Sequence, residues 1–278
     1  MKRALLAVRW VLLNILVMLV SLPTVLEAEQ VDTYQKLQER APVIKEEKKQ
    51  NIIFDSSYEY SFVSIGARRI HWKLLSSRLM YFIRGQIPYL ELNWHERDRV
   101  TDLTLAPGGY FQIGKTALHL ETGFGLDTDY IYRFQTTVDI EHPIYKTLYW
   151  KVGSRYLHYE SGDIFLIAPG LTYYFRDHYL TMNYGFSLTE ARGDAHWGSI
   201  RANVVLHERF HVYVGSAIGE RLFDISPVYA NKQGGYIIFT GFNFNVFSNV
   251  KARAGYSYSE ERPNFIKRSI DGGLTIRF

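Results

Sequence analysis

The 278-residue chain contains no cysteine. That absence excludes a disulfide scaffold, a Cys-ligated zinc or iron–sulfur site, a cysteine nucleophile and a lipidated cysteine anchor. An excess of one charge sign is also lacking, since 32 Lys and Arg stand against 28 Asp and Glu. With no clustered basic face to grip a phosphate backbone, a nucleic-acid partner is not expected. After residue 28 no apolar run reaches the ~18 residues of a helical membrane span. None of the nine histidines forms a His-x-His pattern on a strand face. Neither a metal nor another cofactor is therefore expected.

What the chain has in quantity is aromatic side chains, with 21 Tyr, 17 Phe and 5 Trp, alongside 21 Gly. They are unevenly spread. Residues 1–28 read as an export signal, because Lys2, Arg3 and Arg9 precede an apolar stretch from Trp10 to Val20, followed by Pro23 and the small Ala28. Removing it leaves 29 basic against 27 acidic residues, so part of the basic character belongs to the signal. Residues 29–53 carry no glycine and balance their charges, and are expected to form a short periplasmic helix or tether.

From Phe54 to Phe278 the apolar period becomes two. In the last segment Ile270, Gly272, Leu274, Ile276 and Phe278 alternate with Ser269, Asp271, Gly273, Thr275 and Arg277. Alternation alone fits a soluble periplasmic sandwich or a membrane barrel. Segments of about 10 residues favour the barrel, because soluble strands usually run about 5 or 6. Charged residues on the polar face also favour it, since a dry sandwich core would exclude them. Very short turns, such as 114–115 and 248–249, alternate with longer polar connections at 95–101, 161–163, 190–195, 220–234 and 260–267. Aromatic residues fall near both ends of the apolar face: Trp94, Tyr130, Tyr132, Tyr156, Phe165 and Tyr258 at one, Trp150, Phe175, Phe210 and Phe278 at the other. The expected fold is an all-β, antiparallel, up-and-down transmembrane barrel of about 14 strands over residues 54–278. A count of 12 stays open because 72–84 alternates poorly.

The ending Gly273-Leu274-Thr275-Ile276-Arg277-Phe278 resembles the terminal signal of bacterial outer-membrane proteins, with Phe278 as the aromatic read by the barrel-assembly machinery. That implies the outer membrane of a Gram-negative bacterium. Tyr156-Leu157-His158-Tyr159 and Gly162-Asp163-Ile164, followed by Ala168-Pro169-Gly170-Leu171-Thr172-Tyr173-Tyr174-Phe175, resemble the YaiO-like outer-membrane barrels over roughly residues 55–278. The resemblance implies location and fold, and brings no catalytic residues. Longer relatives carry helical repeats before the barrel; residues 29–53 are too short to hold one.

Parity places Arg78, Glu91, Glu121, Arg133, Lys151, Arg155, Arg201, Lys251, Arg253 and Asp271 in the lumen, with Glu59, Asp139 and Arg277. Such groups either pair to stabilise the barrel or form a polar passage with a modest excess of positive charge. The expected function is non-enzymatic: a structural or passage component of the envelope for solute or polysaccharide movement, in contact with outer-membrane lipids and lipopolysaccharide. The alternative is an outer-leaflet lipid-modifying hydrolase using His158 and Ser161. Its weakness is spacing, because Ser154 and His158 on one strand are about 13 Å apart. Carboxylates near Glu220 and Asp224 are read as a solvated loop.

Overall fold

The computed structural model describes residues 51–189, 193–220, 234–261 and 263–278, and among them every element is a strand. The expected signal, most of the tether, and the loop residues Arg221 and Asp224 lie outside the described residues. The strands are β1 (Ile52–Ile65), β2 (Arg68–Tyr81), β3 (Ile87–Arg97), β4 (Val100–Ile113), β5 (Thr116–Asp127), β6 (Phe134–Tyr145) and β7 (Leu148–Tyr159). They continue as β8 (Gly162–Phe175), β9 (His178–Thr189), β10 (Gly193–His207), β11 (Phe210–Glu220), β12 (Gly234–Phe247), β13 (Val250–Glu261) and β14 (Phe265–Arg277). Each pairs antiparallel with its sequence neighbours, and β1 pairs with β14 to close the barrel at 14 strands.

Closure satisfies every sheet edge internally, which the hydrocarbon region demands. The seam runs from Ile53 opposite Arg277 to Ile65 opposite Phe265. Ile52 and Ile53, assigned to the tether by sequence, belong to β1. Phe278 N–H donates to the Ile52 carbonyl at 2.9 Å, so the chain's last residue holds its first strand.

Alternation fixes the two faces. Outward positions expose large apolar groups such as Leu79, Tyr184, Ile218, Ile238, Ile270 and Leu274. Exposure of this kind is unstable in water and suits lipid. Strands of 11 to 15 residues meet or exceed the ~9–11 needed to cross the hydrocarbon. The surplus rises at the end away from the termini, where outward positions turn polar: His71, Lys73, Glu96, His158, Glu260 and Arg268. That end also carries the longer connections, 128–133 and the segment between β11 and β12, and is the extracellular one.

The poor alternation near residues 72–84 has a physical cause. β2 spans 68–81, and its inward upper positions are the apolar Ile70, Trp72 and Leu74. The connection expected over 95–101 contracts to a two-residue hairpin. Asp98 and Arg99 both take positive φ (51° and 76°), which matches the twist of the paired strands. His95 and Arg97 remain strand residues, and Arg68 pairs with Asp98 across the rim. The segment 160–161 is likewise a two-residue turn.

Candidate functional site: the barrel lumen

On the β2–β6 wall, inward side chains form two hydrogen-bonded sets joined by the contact of Arg78 with the Tyr89 ring. Arg78 Nε donates to Glu91 Oε2 at 2.5 Å, and Ser76 Oγ donates to Glu91 Oε1 at 3.1 Å. The Arg78 guanidinium lies 4.4 Å from the centre of the Tyr89 ring and donates to the Tyr110 hydroxyl at 3.2 Å. Tyr89 donates to Glu121 at 2.7 Å, and Gln135 donates to the same carboxylate at 2.7 Å. His119 lies 2.6 Å from the Tyr89 hydroxyl and 2.9 Å from Asp139. Farther round, the Tyr174 hydroxyl donates to Glu141 at 2.8 Å.

The wall from β7 to β12, which adjoins it at β6, has a different character. Among the described inward positions of β7 to β12 the charged side chains are Lys151, Arg155 and Arg201, with no carboxylate. Arg201 stacks over the Tyr213 ring at 5.0 Å, and neither it nor Lys151 makes an ion pair with a described residue. Arg155 and Arg201 are exposed although they face inward, and the Asp139 side chain is 54% exposed. Solvent therefore reaches the interior.

Four aromatic groups inside the barrel lie against its wall at glycines. The Trp197 ring covers Gly185, Phe239 covers Gly215, Tyr213 covers Gly241 and Tyr89 covers Gly108. A Cβ at Gly185 would run into the indole itself. Glycine at the facing position lets the ring fold onto the sheet instead of projecting across the lumen.

At the closing seam Arg253 holds Asp55 with two bonds of 3.2 and 2.9 Å, and Thr275 donates to the same carboxylate at 2.6 Å. Lys267 pairs with Glu59 at 2.8 Å. Lys251 and Arg277 face inward near the periplasmic end, and Asp271 packs over Gly255. At the extracellular mouth the connection 128–133 bends inward. The buried Asp102 carboxylate accepts the N–H groups of Asp129, Tyr130 and Ile131 at 2.9 to 3.1 Å. Arg97 lies between the Trp72 and Tyr130 rings, at 4.4 and 4.6 Å. Burial pushes the Tyr130 hydroxyl above its ordinary pKa.

Several expectations change. Arg133 is not in the lumen; it ends the 128–133 connection, exposed on the rim, 3.2 Å from Glu160. Tyr130 and Tyr132 leave the lipid-facing belt because Asp102 draws their loop inward, which also delays the start of β6 to Phe134. The expected excess of inward positive charge disappears. Asp55, Asp102, Glu141 and Glu261 add to the acidic side, whereas Arg97 and Lys267 add to the basic side and Arg133 is lost from it. Parity applied to the end residues of the expected segments would have found Asp55, Glu141 and Lys267. The hold of Asp102 on a loop 27 to 29 residues away has no local signal.

His158 faces outward and lies 2.7 Å from Asp163. Ser154 donates instead to the Val138 carbonyl at 3.5 Å, and no described serine hydroxyl bonds to His158. Ser161 lies in the exposed β7–β8 turn. Among the described residues no cluster of three metal-ligating side chains occurs.

None of the curated proteins compared matches the sequence. Among solved structures the chain is similar to the CymD monoaromatic hydrocarbon channel, at 7% identity and a TM-score of 0.59, over 90% of this chain and 94% of that one. It is also similar to the toluene transporter TodX of Pseudomonas putida, at 7% identity and a TM-score of 0.58, over 85% and 90%. At such identities the likeness is one of fold. The YaiO membrane beta barrel domain matches residues 52–209, from the start of β1 to the turn after β10. A closed barrel with a lipid-compatible outer face resides in the Gram-negative outer membrane. With more than half of its length matched, the chain belongs to the YaiO membrane beta barrel domain family.

Proposed function

We propose that this barrel is a non-enzymatic passage of the outer membrane for small hydrophilic solutes. The observation that carries the reading is the seating of inward rings against glycines of the wall, with Asp139, Arg155 and Arg201 exposed inside. A barrel built only for stability would fill its interior with those rings. Fourteen strands also enclose more than the eight whose interior side chains fill completely. The fold likeness to a hydrocarbon channel and a toluene transporter agrees with small-molecule passage. The charged inner wall favours hydrophilic cargo over hydrocarbon, and a sugar or polysaccharide segment belongs to the same class. Conductance in planar bilayers, with sugar-dependent swelling of liposomes, is expected; silent bilayers and unswollen liposomes would reject the passage.

Two partners accompany this reading. The outward, exposed Phe278 at the end of β14 supports recognition by the barrel-assembly machinery. The outward Arg268, His71 and Lys73 at the extracellular end support contact with lipopolysaccharide.

A second reading, an outer-leaflet lipid-modifying hydrolase, is favoured by the lipid-side His158–Asp163 pair. The pair supplies a base and its orienting carboxylate, but no hydroxyl is positioned as nucleophile. Lipid A and phospholipid profiles that differ between cells overproducing the protein and its His158→Ala variant would support it. Identical profiles would remove it.

A further inference from the structure

The inner charges are balanced in number and sorted by strand, with the change of sign falling between β6 and β7. On β2 to β6 the acidic Glu91, Asp102, Glu121, Asp139 and Glu141 outnumber Arg78 and Arg97. On β7 to β12 only cations are described. The seam strands β13, β14 and β1 are neutral overall, with Lys251, Arg253, Lys267 and Arg277 matched by Asp55, Glu59, Glu261 and Asp271. An ion of either sign thus meets no net attraction. A molecule carrying both charges meets carboxylates on β6 and, beginning on the adjoining β7, where Lys151 stands opposite Glu141 in register, cations that continue to Arg201 on β10.

We infer that the lumen selects small zwitterionic solutes, of the amino-acid type, over uncharged molecules of equal size and over ions of one sign. This deepens the passage reading and rests on it. The solute's ammonium turns toward the exposed Asp139 and neighbouring Glu141, and its carboxylate toward Lys151 and Arg201. Both ends then exchange hydration for a charge contact, which lowers the cost of entry. The water-filled interior screens each contact, so the advantage is modest and fades as salt rises.

Alanine and lactamide test this, because they are isomers and only alanine is a zwitterion near pH 8, where ordinary histidines are neutral. Liposomes bearing the full-length barrel at low ionic strength are expected to swell about threefold faster in alanine than in lactamide, with little preference between potassium and chloride. Lys151→Gln with Arg201→Gln should bring the two rates together and make the pore cation-selective. Asp139→Asn with Glu141→Gln should also equalise the rates but make it anion-selective. Heat-dependent gel migration confirms that each variant is folded. Equal rates for the two isomers in the unaltered protein, with lactamide passing well, would overturn the selectivity and leave the passage standing. No swelling with either isomer would overturn the passage and the selectivity together.

Discussion

Glu91 shows how a charge is kept inside a membrane wall. It is 9% exposed, and Arg78 and Ser76 occupy its oxygens. Removing one partner of a buried pair leaves the other charge uncompensated, at a cost of about 3–5 kcal/mol. Arg78→Ala should therefore lower the urea midpoint of the barrel in detergent micelles. Adding Glu91→Gln should recover most of that loss, and no recovery would mean that the arginine acts through its ring contacts alone. Asp102 works at the same scale on the extracellular loop. Its three amide bonds hold 128–133 inward, so Asp102→Ala should release them with the barrel intact. Hydrogen exchange should quicken at Asp129, Tyr130 and Ile131, by an amount reflecting about 1–3 kcal/mol. Unchanged exchange would mean that the rings of Tyr130 and Tyr132 suffice.

At the scale of elements, neighbouring strands share the seating of rings on glycines. Gly185→Ala on β9 should drive the Trp197 ring of β10 off the wall, since only side-chain atoms of that ring stand within closest reach. Single-channel conductance should fall, and Trp197→Ala added to it should restore or exceed the original value; an unchanged conductance would show that the ring escapes along the wall. The β1–β14 seam depends on a polar staple, because Asp55 of β1 receives Arg253 from β13 and Thr275 from β14. Asp55→Ala should lower the temperature at which the folded band disappears on gels, more than Lys251→Ala does, since Lys251 makes no described ion pair. Strand positions were largely legible, because period-two patterning reports a wall with lipid on one side and a polar interior on the other. β2 blurs because its upper inward residues are apolar, and β6 begins only at Phe134 because Asp102 takes the amides of Asp129, Tyr130 and Ile131.

For the molecule as a whole, closure decides behaviour. With β1 bonded to β14 no edge is left, so unfolding must break the ring as a unit. The protein should stay in membranes washed with carbonate and run as a compact band until heated. Loss into the carbonate wash would contradict the lipid-facing wall. The function was less legible than the fold. Parity identified which side chains point inward, yet the sign of the lumen depended on residues at strand ends, where Arg133 left the interior and Glu141 and Lys267 entered it.

The sequence by itself determined the alternating faces and the terminal aromatic residue, because each follows from local patterning that needs no knowledge of distant neighbours; closure fixed the strand count at 14, which the weak alternation of 72–84 left open to 12. Only the tertiary structure decided that the acidic and basic residues occupy separate arcs of the wall, that aromatic rings lie on glycines of adjoining strands, and that one buried aspartate draws an extracellular loop inward. These depend on register and closure, which bring together residues as far apart as Asp55 and Thr275. A one-residue slip in pairing would exchange the two faces.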